Sequence, residues 1–330
     1  MTGERVRPQL VFVHGIGRPR DPQQELAEWT RALADGARAA GFADEISALT
    51  MGWSADAAFA HYGDLFYDAD AQGTGGPGAG GPGETDEEEA AVMLGLLAEL
   101  VDELLERAED EDSRDLRRIR AQLAPDDQAQ GVGNLARTLA AGLAALAAVP
   151  GLNAGARVLS RQKILSIVSQ PGRYLARREP DAAGRTLDRR IRDRVLGCLD
   201  PARPAIVVAH SLGTVVALEA LAEHPGPVPL FVTLGSPITT RGVVWPLLRP
   251  SPPATPATVD AWADFRDGDD LVVPKRRLAK AVVPNARGVR PLSERMESAT
   301  LWPHDATSYL RRAEVADPVM RALAAPAAVR

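Results

Sequence analysis

Two hydrophobic periods alternate along this chain, and their order predicts an α/β fold. Short apolar runs rich in β-branched residues, at 9–13 and 205–209, have the length and composition of buried strands. Apolar residues recur at helical spacing in 25–41 and 214–223, each of which follows such a run. Because strands and helices alternate, we expect a mostly parallel central sheet flanked by helices.

Weaker patterns extend this alternation over the rest of the chain. Residues 46–53, 229–234 and 259–265 predict three further strands. Residues 185–199 predict an amphipathic helix that leads into the strand at 205–209. The tail from 305 to 330 predicts one or two helices that cover an edge of the sheet.

A long interval interrupts the alternation. Residues 73–83 are rich in glycine and proline and predict a flexible loop. A helical region without strand patterns follows and exceeds what the core of an α/β protein needs. We therefore expect a single domain over 1–330, in which 70–184 forms a flexible loop and a helical insertion. Such an insertion is a candidate lid over an active site.

Charge is segregated within this interval. Acidic residues dominate 84–115, and basic residues dominate 157–194. The favoured interpretation is two solvated helices whose charges partly neutralise each other. The alternative is that the basic stretch binds an anionic target such as phospholipid head groups.

Composition narrows the classes of function. The net charge of −6 on 330 residues argues against a general nucleic-acid-binding protein. The single cysteine, Cys198, cannot form an internal disulfide, and no Cys/His cluster predicts a metal site. Neither a signal-peptide pattern nor an apolar run of about 18 residues is present, so we expect a cytoplasmic protein without a stable membrane span. The oligomeric state is not indicated.

The most informative chemical pattern surrounds Ser211. The apolar run at 205–209 stops just before this serine, and a helical pattern follows it directly. Small residues, Ala209 and Gly213, stand two positions away on each side. A tight strand–turn–helix connection requires small residues there, and it exposes the central side chain above the sheet. Ser211 is therefore the leading candidate nucleophile.

The stretch Ala209-His-Ser-Leu-Gly213 resembles the Gly-x-Ser-x-Gly motif of the α/β-hydrolase superfamily, the lipase- and esterase-like serine hydrolases. Alanine replaces the first glycine of that motif. The turn at 235–237, Gly-Ser-Pro, is similar to one found after the next strand in many members, and we interpret it as architecture. Within this family the triad runs in the order serine, acid, histidine.

That order and elimination among the five histidines indicate the base. His14 and His61 precede the serine in the chain. His210 adjoins it, with a side chain expected to point away. His224 lies far along the following helix. His304 remains, and the stretch from His304 to Tyr309 resembles the usual site.

The resemblance implies that the acid of the triad lies between Ser211 and His304 in the chain. Asp270 matches it best because an apolar Val-Val-Pro turn follows, with Asp267 and Asp269 as alternatives.

The sequence His14-Gly-Ile-Gly17 resembles the loop that completes the oxyanion hole in this family. The resemblance implies backbone N–H donors at Gly15 or Ile16 and at Leu212, the residue after the nucleophile.

The resemblance implies a serine hydrolase that cleaves an ester or related acyl bond through an acyl-enzyme intermediate, without a cofactor. Its substrate would be a small-molecule or lipid acyl compound. A peptidase or acyltransferase on the same fold, or a non-catalytic binding protein, are the alternatives, because the fold alone does not select the substrate.

Overall fold

A six-stranded, all-parallel sheet forms the centre of the computed structural model. The structure describes residues 7–17, 19–51, 54–67, 87–106, 108, 110–124, 132–149, 161–268, 270, 273, 276–297 and 304–325. The strands are β1 (Gln9–Val13), β2 (Asp56–Ala60), β3 (Ala205–His210), β4 (Leu230–Leu234), β5 (Trp262–Asp267) and β6 (Pro291–Met296). Their order in the sheet is β2-β1-β3-β4-β5-β6. The predicted α/β fold with a central parallel sheet is confirmed.

Crossover segments connect the strands, as a parallel sheet requires. They contain α-helices except between β5 and β6, where the described residues include a short 3-10 helix, Leu278–Lys280. The α-helices are α1 (Pro22–Ala39), α2 (Ile46–Thr50), α3 (Glu87–Leu105), α4 (Asp110–Gln122), α5 (Val132–Ala147), α6 (Arg161–Ala176), α7 (Leu187–Leu196), α8 (Leu212–Glu223), α9 (Val244–Leu247), α10 (Ala306–Leu310) and α11 (Ala313–Ala324). Among the described residues, no helix is long and apolar enough to span a membrane.

The prediction of a strand at 46–53 is wrong. Residues Ile46–Thr50 form α2, and the second strand is β2, which starts at Asp56. Ile46 and Leu49, three positions apart, both pack on the core, which is helical rather than strand spacing. The strand β2 escaped notice because four of its five residues are alanine or aspartate, which are depleted in strands.

The edge strand β6 was also absent from the sequence expectations. Only Pro291 and Met296 at its two ends are buried, and the residues between them are exposed or half-buried. The strand pairs with β5 alone, so it shows no hydrophobic alternation. The strand β5 begins at Trp262 rather than at 259, because Val259 instead forms an isolated bridge with Val228.

One face of the sheet packs against α1, α10 and α11. Large apolar side chains from β1, β3 and β4 meet apolar side chains from these helices in a single cluster, which includes Phe12, Val208, Val232, Trp29, Leu33, Leu310 and Val319. The helix α8 is buried on every side over its first ten residues, from Leu212 to Leu221. Such burial is typical of a helix packed inside the core, and its first residue follows Ser211 directly.

The chain divides into two compact units. The first comprises Met1–Tyr62, Ile191–Thr239 and Leu248–Arg330 and contains the whole sheet. The second comprises Gly63–Arg190 and Thr240–Leu247 and contains the helices α3 to α6. The second unit has nearly the extent of the predicted insertion at 70–184, and its role as a lid stays a prediction. The glycine-rich stretch 73–83 lies outside the described residues.

Basic side chains of the second unit are paired with its acidic ones. Arg178 bonds to Glu88, which links the basic and acidic stretches, and Arg177 lies 2.8 Å from Asp188. Arg173 donates to both carboxylate oxygens of Glu179. These pairs favour mutual neutralisation over a site for an anionic partner.

Candidate active site

Ser211 stands at a strained turn between β3 and α8. Its backbone angles, φ +53° and ψ −130°, belong to a region that non-glycine residues rarely adopt. The backbone N–H of Ser211 donates to the carbonyl of Leu234 at 3.0 Å, and its carbonyl accepts from the hydroxyl of Thr214 at 2.7 Å. These bonds hold the turn, and Ser211 as a residue is 3% exposed.

Close backbone packing explains the small residues around this turn. A Cβ atom on Gly213 would lie 2.6 Å from the carbonyl oxygen of Val13 and would also collide with that of His14. A Cβ atom on Gly15 would lie 2.6 Å from Cβ of Ser211. The loop after β1 and the turn at Ser211 therefore touch through glycines on both sides, which only glycine allows.

His304 links Ser211 to a buried carboxylate. Its Nε2 lies 2.8 Å from Oγ of Ser211, and its Nδ1 lies 2.7 Å from Oδ2 of Asp270. Asp270 is fully buried. An ionised carboxylate there can only accept, which requires the His304 proton on Nδ1 and leaves Nε2 as an acceptor facing the Ser211 hydroxyl. His304 stands just before α10, whose first turn is capped by the Asp305 side chain through the N–H of Ser308.

Two further residues support the His304–Asp270 pair. The hydroxyl of Tyr309 donates to Oδ2 of Asp270 at 2.9 Å. Burial, together with the adjacent carboxylate, raises the pKa of the Tyr309 phenol well above its ordinary value, so the group remains a donor. Gly235, at φ +56°, lies directly against the pair, since a Cβ there would be 3.1 Å from Oδ2 of Asp270.

The structure separates the three candidate aspartates. The carboxylate that contacts His304 belongs to Asp270. Asp267 is also buried, but its backbone N–H donates to the hydroxyl of Tyr309 at 2.9 Å, so it supports the site from a second position. Asp269 lies outside the described residues.

Two of the three candidate oxyanion residues, Gly15 and Leu212, lie beside Ser211. Leu212 is the first residue of α8, and its N–H has no acceptor within the helix. Gly15 contacts the Ser211 side chain across the loop, and Ile16 follows it. The N-terminal end of α8 adds a favourable field for a developing negative charge.

The other histidines differ from His304 in their surroundings. His14 is buried, and its Nε2 accepts the backbone N–H of Tyr62 at 3.1 Å. Burial lowers the pKa of His14 to about 3, with a smaller contribution from His61. His61 lies at the end of β2, where its Nε2 accepts the N–H of Arg20 at 3.5 Å, and His224 follows the last turn of α8.

The expectation that the side chain of His210 points away from the site is wrong. Its ring lies 4.7 Å from that of His304, and it also neighbours Tyr309 and Trp29. Burial lowers the pKa of His210 well below 6.5, so its ring is neutral.

The residues that sequence reasoning missed are Tyr62, Gly235 as the support of the His304–Asp270 pair, and His210 as a neighbour of His304. The Gly-Ser-Pro turn at 235–237 is a sequence signal that marks the position of Gly235, although the sequence indicated only an architectural role for it. Nothing in the local sequence indicates Tyr62, because its partner His14 is far away along the chain.

Chemically, the arrangement can deprotonate a serine hydroxyl and stabilise a negative charge next to it. Within the described part of the chain, no group of three or more His, Cys, Asp or Glu side chains is arranged to hold a metal ion.

No protein-family model, curated protein or solved structure matches this chain.

Proposed function

We propose that this protein is a serine hydrolase of the α/β-hydrolase superfamily that cleaves an ester or related acyl bond. The observation that carries the proposal is the hydrogen-bonded chain from Ser211 through His304 to Asp270, with distances of 2.8 and 2.7 Å. The strained turn at Ser211 and the N–H of Leu212 beside it support the same conclusion.

In the proposed reaction, Oγ of Ser211 attacks the acyl carbon while its proton passes to Nε2 of His304. Asp270 holds the imidazole in the required tautomer and stabilises the imidazolium. The oxygen of the tetrahedral intermediate accepts hydrogen bonds from Leu212 N–H and from the loop at 15–16. When the intermediate collapses, His304 returns the proton to the leaving group, which departs from an acyl-Ser211.

Water completes the cycle. His304 takes a proton from a water molecule as its oxygen attacks the acyl-enzyme. The second tetrahedral intermediate then collapses, releases the acid and returns the proton to Oγ of Ser211.

The test is labelling by a fluorophosphonate probe with peptide mass spectrometry to locate the adduct. We expect a single adduct on Ser211, and we expect labelling to be lost in Ser211→Ala and His304→Ala. Ser236→Ala is the matched control, because this nearby buried hydroxyl bonds to Thr214 instead of His304. A folded protein that forms no adduct, or one labelled elsewhere, would contradict the proposal.

A further inference from the structure

Tyr62 is a buried tyrosine that binds the loop after β1 at two points. It follows β2 by two positions and is fully buried. Its hydroxyl donates to the carbonyl of His14 and lies 3.3 Å from the carbonyl of Gly15. Both carbonyls belong to the loop that carries the candidate oxyanion donors.

The direction of these carbonyls determines the direction of the N–H groups. The peptide bonds from His14 to Ile16 are trans, and a trans peptide points its N–H opposite to its C=O. Because the carbonyls of His14 and Gly15 face the phenol of Tyr62, the N–H groups of Gly15 and Ile16 point away from it. The same loop contacts Ser211 through Gly15.

His14 completes the attachment from the other side. Its ring stacks on that of Tyr62 with centroids 4.1 Å apart, and its Nε2 accepts the Tyr62 N–H. Since the pKa of His14 is lowered to about 3, the ring is neutral near pH 7 and keeps this acceptor. The phenol of Tyr62 is likewise protonated, because burial raises its pKa. Each residue therefore holds the backbone of the other.

We propose that Tyr62 is a positioning residue that orients the Gly15 and Ile16 N–H groups as donors to the oxyanion. This inference rests on the proposed hydrolase function. Tyr62 acts through the backbone of the loop, by way of the carbonyls of His14 and Gly15. Its removal should therefore weaken binding of the transition state while leaving the binding of the ester unchanged.

The experiment compares wild-type protein with Tyr62→Phe in the hydrolysis of 4-nitrophenyl acetate. The variant keeps the stacked ring and the backbone N–H but loses the hydroxyl. We expect kcat to fall about 10- to 100-fold, with KM within about twofold, because a misdirected donor loses much of its contribution to the transition state. The pH dependence of kcat should keep its shape, since the triad is untouched.

Two further variants separate positioning from a general loss of structure. Replacement of Tyr62 by 4-aminophenylalanine restores a donor at the same place and should recover much of kcat. Tyr67→Phe is the matched control, because this half-buried phenol instead accepts from Nε2 of Gln170 at 3.4 Å. It should keep wild-type kcat.

A measurement on the wild-type protein does not depend on how well a variant folds. A trifluoromethyl ketone that adds to Ser211 creates an oxyanion, and the amide protons of Leu212 and of Gly15 or Ile16 should then shift downfield in the NMR spectrum. If the loop amides do not move, or if Tyr62→Phe is folded and fully active, the inference is wrong and the hydrolase proposal stands. If the wild-type protein neither reacts with the probe nor cleaves the ester, the hydrolase proposal itself fails.

Discussion

The Tyr309 hydroxyl and the Asp270 carboxylate are joined by a 2.9 Å hydrogen bond, and the oxygen that accepts it also faces His304. The same hydroxyl accepts the backbone N–H of Asp267. One phenol thus connects both ends of the turn that carries the acid. Without the Tyr309 hydroxyl, the buried Asp270 carboxylate would have one hydrogen-bond donor fewer, and a buried charge that lacks hydrogen bonds destabilises the folded state.

Tyr309→Phe should therefore reduce both stability and activity. It removes one donor from a buried carboxylate and leaves the Asp267 N–H without its acceptor, and we expect the free energy of unfolding to fall by about 2 kcal/mol. Urea denaturation measures this loss, and ester hydrolysis should decrease in the same variant. Tyr67→Phe serves as the control, and equal effects of the two substitutions would contradict the prediction.

Asp270→Asn and Asp267→Asn form a matched pair that separates the two candidate acids. An amide at 270 cannot hold the His304 tautomer that leaves Nε2 free, and in a triad this costs about 10⁴-fold in kcat. Asp267→Asn leaves the backbone N–H to Tyr309 in place and should retain most of the activity. Steady-state kinetics decide between them. A larger loss of kcat in Asp267→Asn than in Asp270→Asn would show that Asp270 is not the acid of the triad.

Gly213→Ala and Gly17→Ala test the close approach of the loop and the turn. A methyl group on Gly213 would collide with the carbonyls of Val13 and His14. Chain neighbours aside, one on Gly17 would meet no atom of the described residues within 4 Å. Because overpacking a dense interior is destabilising, we expect Gly213→Ala to lower the free energy of unfolding by about 1 to 3 kcal/mol. We also expect it to abolish probe labelling, since the turn that carries Ser211 would be displaced. Gly17→Ala should match the wild-type protein in both assays. Normal labelling of Gly213→Ala would contradict the packing argument.

Asp264 should make stability depend on pH in the opposite direction to most carboxylates. Burial raises its pKa to about 6, although Ser293 and Thr233 donate hydrogen bonds to it. The native state therefore binds this proton more tightly than the unfolded chain does, so stability is present at low pH and is lost as pH rises through about 6. Relative to Asp264→Asn, the wild-type protein should lose about 1 to 2 kcal/mol between pH 5 and 7.5. Urea unfolding at several pH values measures this difference, and a constant difference would contradict it.

His14 should make the protein less stable as the pH falls, which is the opposite of the effect of Asp264. Its pKa is lowered from 6.5 to about 3, so the native state resists protonation. The stability that depends on neutral His14 is present above pH 6.5 and is lost as pH falls towards 3. Imidazole ¹⁵N NMR should show a neutral ring at pH 5, with the proton on Nδ1. A ring that titrates near 6.5 would contradict the attachment between His14 and Tyr62.

Local patterns were sufficient for much of the fold. The strands β1 and β3 are short, fully buried apolar runs, and such runs have few other interpretations. The edge strands β2 and β6 were missed for the converse reason, because each has one neighbour and carries polar or small residues. At 46–50, apolar residues spaced for a helix were mistaken for strand alternation.

The candidate site was only partly accessible to the same reasoning. Ser211 was identifiable because a strained turn requires small residues at fixed positions around it. His304 followed from elimination and from chain order within the resemblance. Asp270 was preferred over Asp267 and Asp269 through the Val-Val-Pro turn of the resemblance, but the sequence left the other two open, since each could cap the same turn.

By itself, the sequence determined the alternation of strands and helices, the tight turn at Ser211 and the small residues that this turn needs. These features depend on neighbours along the chain and on the intrinsic geometry of the backbone. Only the tertiary structure decided which carboxylate contacts His304, that His210 lies against it, and that Tyr62 holds the loop of Gly15. Those contacts join residues far apart along the chain, and they form only when the strands lie side by side and bring their carboxyl ends to one edge of the sheet.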